Sequence, residues 1–366
     1  MYVTDKMLPA LPAPSDTRGP IHWLKENLFS SLVNAVLTLV LLYLLYMLIP
    51  PVINWVFIDS VWFAETREGC ADINGACWAY IANRFGQTIY GFYPPEAQWR
   101  VNTAFLALIL LCVPLFIQSF TKKGWLGAFI LLIFPFIAYV FIHGGSFGLE
   151  VIGTDKWGGL MLTLIISLIG ITLALPLGIV LALGRRSEMP IVKSISVIFI
   201  EFWRGVPLIT ILFMSSVMLP LFLPEGSDFD KLARAMIGII LFQAAYVAEV
   251  VRGGLQAIPK GQYEAAVAMG LTYWKSMFLV ILPQALKLVI PGLVNTFIAL
   301  FKDTTLVLII GLFDLLGMVE NVLGSDSKWL GFHTEGLVYA GFVFWLFCFG
   351  MSRYSMSLER KLHTGH

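Results

Sequence analysis

The stretch that decides the fold is PKGQYEAAVAMGLTYWKSMFLVILP, residues 259–283, a polar and turn-rich interruption of an otherwise strongly apolar chain. It predicts a short helix at Gln262–Met269, which ends because Gly270 can adopt the left-handed conformation found after helix C-termini. A second short helix is predicted to begin at Thr272, whose hydroxyl can cap it, and to end or kink at Pro283. A segment with two short helices is typical of a docking surface.

The composition around this segment indicates a membrane protein. Of the 366 residues, 58% are hydrophobic and 13% are charged, and the mean hydropathy is +0.82. Soluble domains are about 45–50% apolar and about 25% charged, so one aqueous core cannot explain so much apolar surface. The net charge of +1, without a basic cluster among aromatic residues, excludes a nucleic-acid-binding class.

Apolar runs long enough to cross a bilayer recur along the chain. A transmembrane helix needs about 20 predominantly apolar residues. The sequence therefore predicts an all-α, polytopic membrane protein with about eight transmembrane helices, at residues 31–50, 101–120, 125–142, 158–183, 195–222, 235–251, 286–312 and 335–351.

Basic residues in the loops predict the orientation. With the N-terminus in the cytoplasm, that side holds fifteen Lys and Arg residues, and the opposite side holds seven. Cytoplasmic loops are enriched in Lys and Arg, so both termini are expected in the cytoplasm.

The chain divides by composition into parts with different expected roles. Residues 1–30 and 356–366 are expected to be cytoplasmic tails, the first of them disordered. Residues 31–150 hold three plain spans and an external loop at 51–99, whereas the later spans carry glycines, prolines and charges, and function is expected there. In the external loop, Cys70 and Cys77 flank an Asn-Gly turn signal, and either a local disulfide or two free thiols fits this arrangement.

Several motifs carry a resemblance to a known family. EAAVAMG, followed after nine residues by VILP, resembles the EAA signature of permease subunits in binding-protein-dependent ABC importers. Further stretches at 157–187, 201–213, 245–266 and 301–317 are similar to the polar amino-acid branch of that family, which includes histidine, glutamine and arginine permeases. The signature residues here are Glu264, Ala265, Ala266, Gly270, Leu282 and Pro283.

The resemblance covers residues 157–355 and implies a five-helix type I ABC importer permease core with cytoplasmic coupling helices. The three additional spans are similar to the enlarged permeases of general L-amino-acid transporters of the Aap/Bzt type. The implied function is ATP-driven import of amino acids, of broad specificity, by alternating access across the bacterial inner membrane. On this interpretation the helix near Glu264 inserts into the ATPase; the alternative is that Glu264 only solvates a loop.

The family implies a set of partner chains. These are two copies of a cytoplasmic ABC ATPase, a second and different permease subunit, and a periplasmic amino-acid-binding protein. This chain contains no G-x-x-x-x-G-K-[ST] phosphate-binding loop, so ATP and Mg²⁺ are expected on the ATPase, and no cofactor is expected here. The subunit is therefore not expected to be an enzyme.

A zwitterionic amino acid needs polar partners inside the membrane, and ionisable residues within spans are candidates for that role. The alternative is that Glu201 with Arg204, and Lys302 with Asp303, form fixed ion pairs. A structural or gating role is favoured for Glu249. The candidate pathway residues are Glu201, Arg204, Glu249, Asn295, Lys302, Asp303 and Thr304.

Two other classes of function compete. An ion-coupled secondary amino-acid transporter is the main alternative, although such folds usually have two halves of matched length. A scaffold that anchors a peripheral protein through 259–283 is the other. The five histidines show no metal-ligand spacing and no triad pattern, so no catalytic and no metal-binding residues are predicted.

Overall fold

A computed structural model describes residues 19–71, 73–117, 120–146, 148–222, 224 and 229–362. Secondary structure in this part of the chain is helical, apart from isolated β-bridges. The α-helices are α1 (Pro20–Asn27), α2 (Leu32–Ile53), α3 (Trp78–Tyr90), α4 (Gln98–Phe116), α5 (Lys123–Leu132), α6 (Phe134–His143), α7 (Gly159–Arg185), α8 (Pro190–Gly205), α9 (Leu208–Phe213), α10 (Lys231–Ala257), α11 (Lys260–Ala268), α12 (Tyr273–Ser276), α13 (Leu282–Asp303), α14 (Leu315–Gly317) and α15 (His333–Leu362).

The helices account for the predicted spans. In the described residues, seven helical segments are long and apolar enough to cross a membrane, and a bent pair makes an eighth if it is one span. The prediction of an all-α polytopic protein with about eight spans is confirmed. The seven segments are Leu32–Ile58, Pro95–Leu115, Lys123–His143, Gly159–Arg185, Lys231–Ala257, Tyr273–Ile310 and His333–Arg360.

The fifth span differs from its prediction as one helix at 195–222. α8 and the helical segment Leu208–Phe222 meet at an angle of 100°. Pro207 disfavours the helical conformation of the residue before it, and Val206 is extended, with φ −107° and ψ 134°. The chain therefore turns sharply at this dipeptide.

The first structural unit comprises the described residues up to Ala64, together with Glu68–Trp78. α2 begins where the amide of Asn34 donates to the hydroxyl of Ser31, and its apolar side chains are exposed, as expected for a helix surrounded by lipid. α1 lies inside the segment that was predicted to be a disordered tail, so that prediction is wrong for its residues. Residues 1–18 lie outside the described part of the chain.

The loop that follows α2 in this unit has a defined fold. Cys70 and Cys77 form a disulfide, with their Cα atoms 5.9 Å apart. A Cβ added to Gly75 would lie 2.1 Å from the carbonyl oxygen of Asp59, so the loop packs closely against the end of the first span. The indole of Trp78 donates to the carbonyl of Val56 at 2.8 Å.

The second unit comprises Glu65–Arg67 and the residues from Ala79 onward. Its centre is α10, which packs along α7 and also contacts α13 and α8. A Cβ at Gly178 of α7 would lie 2.5 Å from Val247 of α10, and one at Gly254 would lie 2.7 Å from the carbonyl of Ala285 in α13. Small residues at these contacts let the helix backbones approach closely, as is usual in membrane bundles.

The last two spans contain changes of helix type. α13 ends at Asp303 and continues as a 3₁₀-helix over Thr304–Ile310. α15 runs to Leu362, so most of the predicted C-terminal tail at 356–366 continues the last span, and residues 363–366 lie outside the described part.

Candidate functional site: an exposed short helix beside an ion-pair cluster

The short helix predicted at Gln262–Met269 is present as α11. It ends in a Schellman motif, because the amide of Gly270 donates to the carbonyl of Val267 at 2.9 Å and that of Leu271 donates to the carbonyl of Ala266 at 3.1 Å. Gly270 has φ +72°, in the left-handed region that the prediction required. Glycine is the residue that enters this region without steric cost.

The second short helix of the segment is not a separate element, contrary to the prediction. α12 continues through a π-helical turn at Met277–Ile281 into α13. Pro283 is the second residue of α13, directly after the π-helical turn, and the helix continues past it to Asp303, so Pro283 does not end the helix. Thr272 occupies the N-cap position of α12, but its side chain makes no capping hydrogen bond.

α11 presents two different faces. Glu264, Ala265 and Gly270 are exposed, and Val267 and Met269 are 71% and 68% exposed. Ala266 is fully buried on the opposite face. Of the other two signature residues, Leu282 is buried and Pro283 is exposed at the start of α13.

Hydrogen bonds fix the buried face of α11 to the ends of α7 and α10. The hydroxyl of Tyr263 donates to the carbonyl of Leu255 at 3.0 Å. Arg186 Nη1 donates to the same carbonyl at 2.6 Å and to the Tyr263 hydroxyl at 2.9 Å, and its guanidinium lies 5.5 Å from the Tyr263 ring centroid. We call these three residues the Arg186 joint.

The Arg186 joint has a cause in the sequence. In a continuous helix the carbonyl of Leu255 would accept from the amide four residues later. That residue is Pro259, which has no N–H and lies where α10 has already ended. The side chains of Arg186 and Tyr263 supply the missing donors.

Five charged residues form a cluster where α7, α8 and α10 meet; we call them the charge cluster. Arg185 Nη1 lies 2.8 Å from Glu201 and 2.8 Å from Glu249. Arg252 contacts Glu249 at 2.9 Å, and Arg204 is 3.8 Å from Glu249. Three arginines therefore share two carboxylates, and the cluster keeps one excess positive charge.

The pairing within the charge cluster differs from the alternative that Glu201 pairs with Arg204. Both residues lie on α8, but Glu201 contacts Arg185 of α7 and Arg204 contacts Glu249 of α10. Arg204 also lies 5.6 Å from the ring centroid of Tyr246. Pairing between helices explains the difference, since burial at a junction brings charges from separate elements together.

The other candidate residues lie apart from this cluster on and after α13. Among the described residues, no ion pair joins Lys302 to Asp303, since neighbours on a helix point in different directions. Asn295 is exposed, and the hydroxyl of fully buried Thr304 donates to the carbonyl of Phe301 at 2.9 Å.

Two polar contacts were not anticipated from the sequence. Arg185 lies beyond the span predicted at 158–183, although it is the common partner of Glu201 and Glu249. Gln243 of α10 is 2% exposed, and its amide donates to the carbonyl of Thr296 in α13 at 2.9 Å. A polar residue in a predicted span was the signal available for Gln243.

The geometry defines a class of protein: a polytopic membrane subunit with one short helix exposed between spans and anchored to a charged junction of three helices. Residues 174–364 match the family described as the inner membrane component of binding-protein-dependent transport systems, and the chain belongs to this family. It is a permease subunit of an ABC transporter, a multi-span inner membrane protein and not itself an enzyme.

Two relatives extend along the whole chain. The chain is 57% identical over 357 residues to the inner membrane amino-acid ABC transporter permease protein YhdY of Escherichia coli, which covers 98% of this chain and 97% of that protein. It is 40% identical to the glutamate/glutamine/aspartate/asparagine transport system permease protein BztC of Rhodobacter capsulatus, covering 100% and 99%. These comparisons do not favour the alternative of a secondary transporter.

A solved structure is similar to part of this chain. A crystal structure of an amino acid ABC transporter with histidines superposes with a TM-score of 0.50 and 29% identity, covering 56% of this chain and 92% of that one. The two longer relatives therefore align with nearly the whole chain, whereas the smaller permease aligns with 56% of it.

Proposed function

We propose that this subunit imports amino acids, with broad specificity, and that α11 receives the movement of a separate ATPase. The names of YhdY and BztC support an amino-acid substrate. The observation that carries the role of α11 is its division into an exposed face and a face bonded to α7 and α10. A helix attached in this way can transmit a push from a partner into the spans.

The exposed face of α11 is suited to a partner groove. Glu264 offers a carboxylate for basic groups, and Ala265 leaves space for close backbone approach. Gly270 allows a sharp turn that keeps the helix short. Leu282 and Pro283 belong to the same signature and fix the start of α13, against which α11 is held by a 3.1 Å hydrogen bond from Gln284 to Gln262.

The assembly we propose has two ATPase copies, which bind the ATP and Mg²⁺, and two permeases. We propose that the second permease is a different chain, since long permeases of the Aap/Bzt type pair with shorter ones. A periplasmic binding protein delivers the amino acid. The excess of Lys and Arg on one side supports an orientation with both termini in the cytoplasm, which places α11 on the side of the ATPase.

For the substrate pathway we propose Arg204 and Glu201, the two members of the charge cluster with the most exposed side chains. Arg204 is 35% exposed and its carboxylate contact is long, at 3.8 Å, so its guanidinium can donate hydrogen bonds to a substrate carboxylate. Glu201 is 55% exposed and uses one oxygen for Arg185, which leaves the other for an ammonium group. Glu249, with 16% exposure and three arginine contacts, is proposed as the fixed support.

Asn295, Lys302, Asp303 and Thr304 remain proposed pathway residues farther along α13. Lys302, Asp303 and Thr304 lie where the α-helix changes to a 3₁₀-helix, and broken helices often line substrate sites. Thr304, whose hydroxyl is already bonded to the backbone, is the weakest donor in this set.

The test uses the chain assembled with its partner chains in proteoliposomes. Uptake of labelled L-glutamine and L-glutamate is measured with and without internal ATP. We expect Glu264→Lys to abolish uptake and ATPase association, and Lys193→Gln, at an exposed position on α8, to leave both intact. Uptake without ATP or without a second polypeptide would overturn the proposed importer.

A further inference from the structure

One helix end connects α11 to the charge cluster. Arg185 and Arg186 are consecutive residues at the C-terminus of α7. Arg185 reaches inward to Glu201 and Glu249, whereas Arg186 reaches the Tyr263 hydroxyl and the Leu255 carbonyl. Consecutive residues on a helix point about 100° apart, so the last turn of α7 can contact the charge cluster through Arg185 and the Arg186 joint through Arg186.

We propose that the Arg186 joint is the connection through which displacement of α11 reaches the charge cluster, and that Arg186 and Tyr263 are positioning residues for transport. The inference rests on the proposed function of α11 as the contact with the ATPase. In this proposal the joint couples ATP hydrolysis to substrate passage, whereas the exposed face of α11 binds the ATPase.

The hydrogen bonds of the Arg186 joint connect α11 to both α10 and α7. Leu255 lies in the last turn of α10, three residues after Arg252 and six after Glu249. A displacement of Tyr263 therefore acts on α10 through the Leu255 carbonyl and on α7 through Arg186. Arg185 moves with Arg186 because they share a peptide bond, so its two contacts to glutamates of α8 and α10 change together.

The other side-chain hydrogen bond of α11 does not reach the charge cluster. The hydrogen bond from Gln284 to Gln262 ties α11 to α13 and not to the charge cluster. Ala266 is buried but is apolar and bonds through no side-chain atom. The exposed Glu264 faces away from the joint, so variants on the two faces of α11 separate docking from transmission.

The experiment uses the fully assembled transporter in proteoliposomes, with its binding protein and ATP. Tyr263→Phe removes one hydroxyl and keeps the ring, and Arg186→Gln removes the guanidinium. For each variant we measure ATPase co-purification, ATP hydrolysis with amino-acid-loaded binding protein, and uptake of labelled L-glutamine. Tyr46→Phe, at an exposed tyrosine on α2, is the matched control, and Lys193→Gln is the control for the arginine.

We expect both joint variants to retain the ATPase and hydrolyse ATP, with the amount of amino acid imported per ATP reduced about fivefold or more. The double variant is expected to be no worse than the more affected single variant, because both changes break one joint. Arg186→Lys, which keeps a donor for the Leu255 carbonyl, is expected to recover part of the ratio. The controls are expected to match the unmodified transporter.

Three results would overturn the inference. One is an unchanged import per ATP in Tyr263→Phe, which is the variant least able to disturb folding. Another is multiplication of the two single effects in the double variant, and the third is loss of ATPase association, which would place the residues in the docking surface. If the unmodified protein imports only with ATP while Tyr263→Phe remains fully coupled, the joint fails and the proposed importer stands.

Discussion

Gly270 provides a quantitative test of why α11 ends where it does. Its φ of +72° costs a residue with a side chain about 1–2 kcal/mol. An added Cβ meets no atom within 4 Å, so the cost of Gly270→Ala comes from the backbone conformation and not from a clash. Asparagine enters this region more readily than alanine, and a β-branched side chain less readily.

The two Schellman hydrogen bonds give the assay. A cost of about 1–2 kcal/mol corresponds to a factor of about 5 to 30 in the opening equilibrium. Exchange of the Leu271 amide hydrogen is therefore expected to accelerate by such a factor in Gly270→Ala, to change less in Gly270→Asn, and to change most in Gly270→Val. Uptake by the assembled transporter is expected to follow the same order. Equal exchange rates in the glycine and alanine proteins would refute the reasoning.

Four further substitutions test helix packing, the charge cluster and the disulfide loop. Gly178→Val is expected to destabilise the membrane domain by about 1–3 kcal/mol, since even a Cβ would lie 2.5 Å from Val247; thermal unfolding in detergent measures this. Glu249→Gln leaves three arginines with one carboxylate and is expected to cost about 3 kcal/mol in the same assay, against under about 1 kcal/mol for the more exposed Glu201→Gln. Cys77→Ser is expected to destabilise the loop by about 2.5 kcal/mol, measured as faster proteolysis within it.

Each of these substitutions has a matched comparison. The comparison for Gly178→Val is Gly253→Ala in α10, the helix that contains Val247. A Cβ at Gly253 meets no atom within 4 Å, so this substitution is expected to stabilise α10 by about 1 kcal/mol. If Gly178→Val unfolds at the temperature of the unmodified protein, the close packing of α7 and α10 is contradicted. Equal losses for the two glutamate variants would contradict the central position of Glu249. Cys70→Ser should reproduce the effect of Cys77→Ser.

The sequence predicted those features that depend on local physics. Span lengths follow from apolar runs, and the end of α11 follows from the tolerance of glycine for φ +72°. Pro207 indicates in the sequence that the helix is interrupted, but the 100° angle between α8 and Leu208–Phe222 does not follow from a proline alone. The same limit applies to Pro283, which marks a break when considered alone but lies in the first turn of α13.

The charge pairing could not be predicted because it depends on the rotation of helices relative to one another. Spacing of three residues brings Glu201 and Arg204 to one side of α8, and this suggested a pair within the helix. In the structure each of them contacts a charge on a neighbouring helix. Arg185 was missed because a helix end and a loop look alike in a sequence.

The uneven charge count of this cluster supports the proposed substrate role over a purely structural ion-pair network. A network that only held α7, α8 and α10 together would be served as well by equal numbers of acids and bases, since burying an unmatched charge is costly. With three arginines and two glutamates, the guanidinium of Arg204 has the longest carboxylate contact in the cluster. Its attraction for a further carboxylate depends on its separation from Glu249, which is 3.8 Å. A movement that lengthens this contact frees Arg204 for another carboxylate, and a movement that shortens it expels that carboxylate. Arg186 contacts Tyr263 of α11, and the adjacent Arg185 contacts Glu249. On the proposed coupling, the position of α11 therefore determines whether Arg204 is paired with Glu249 or is free to bind a substrate carboxylate.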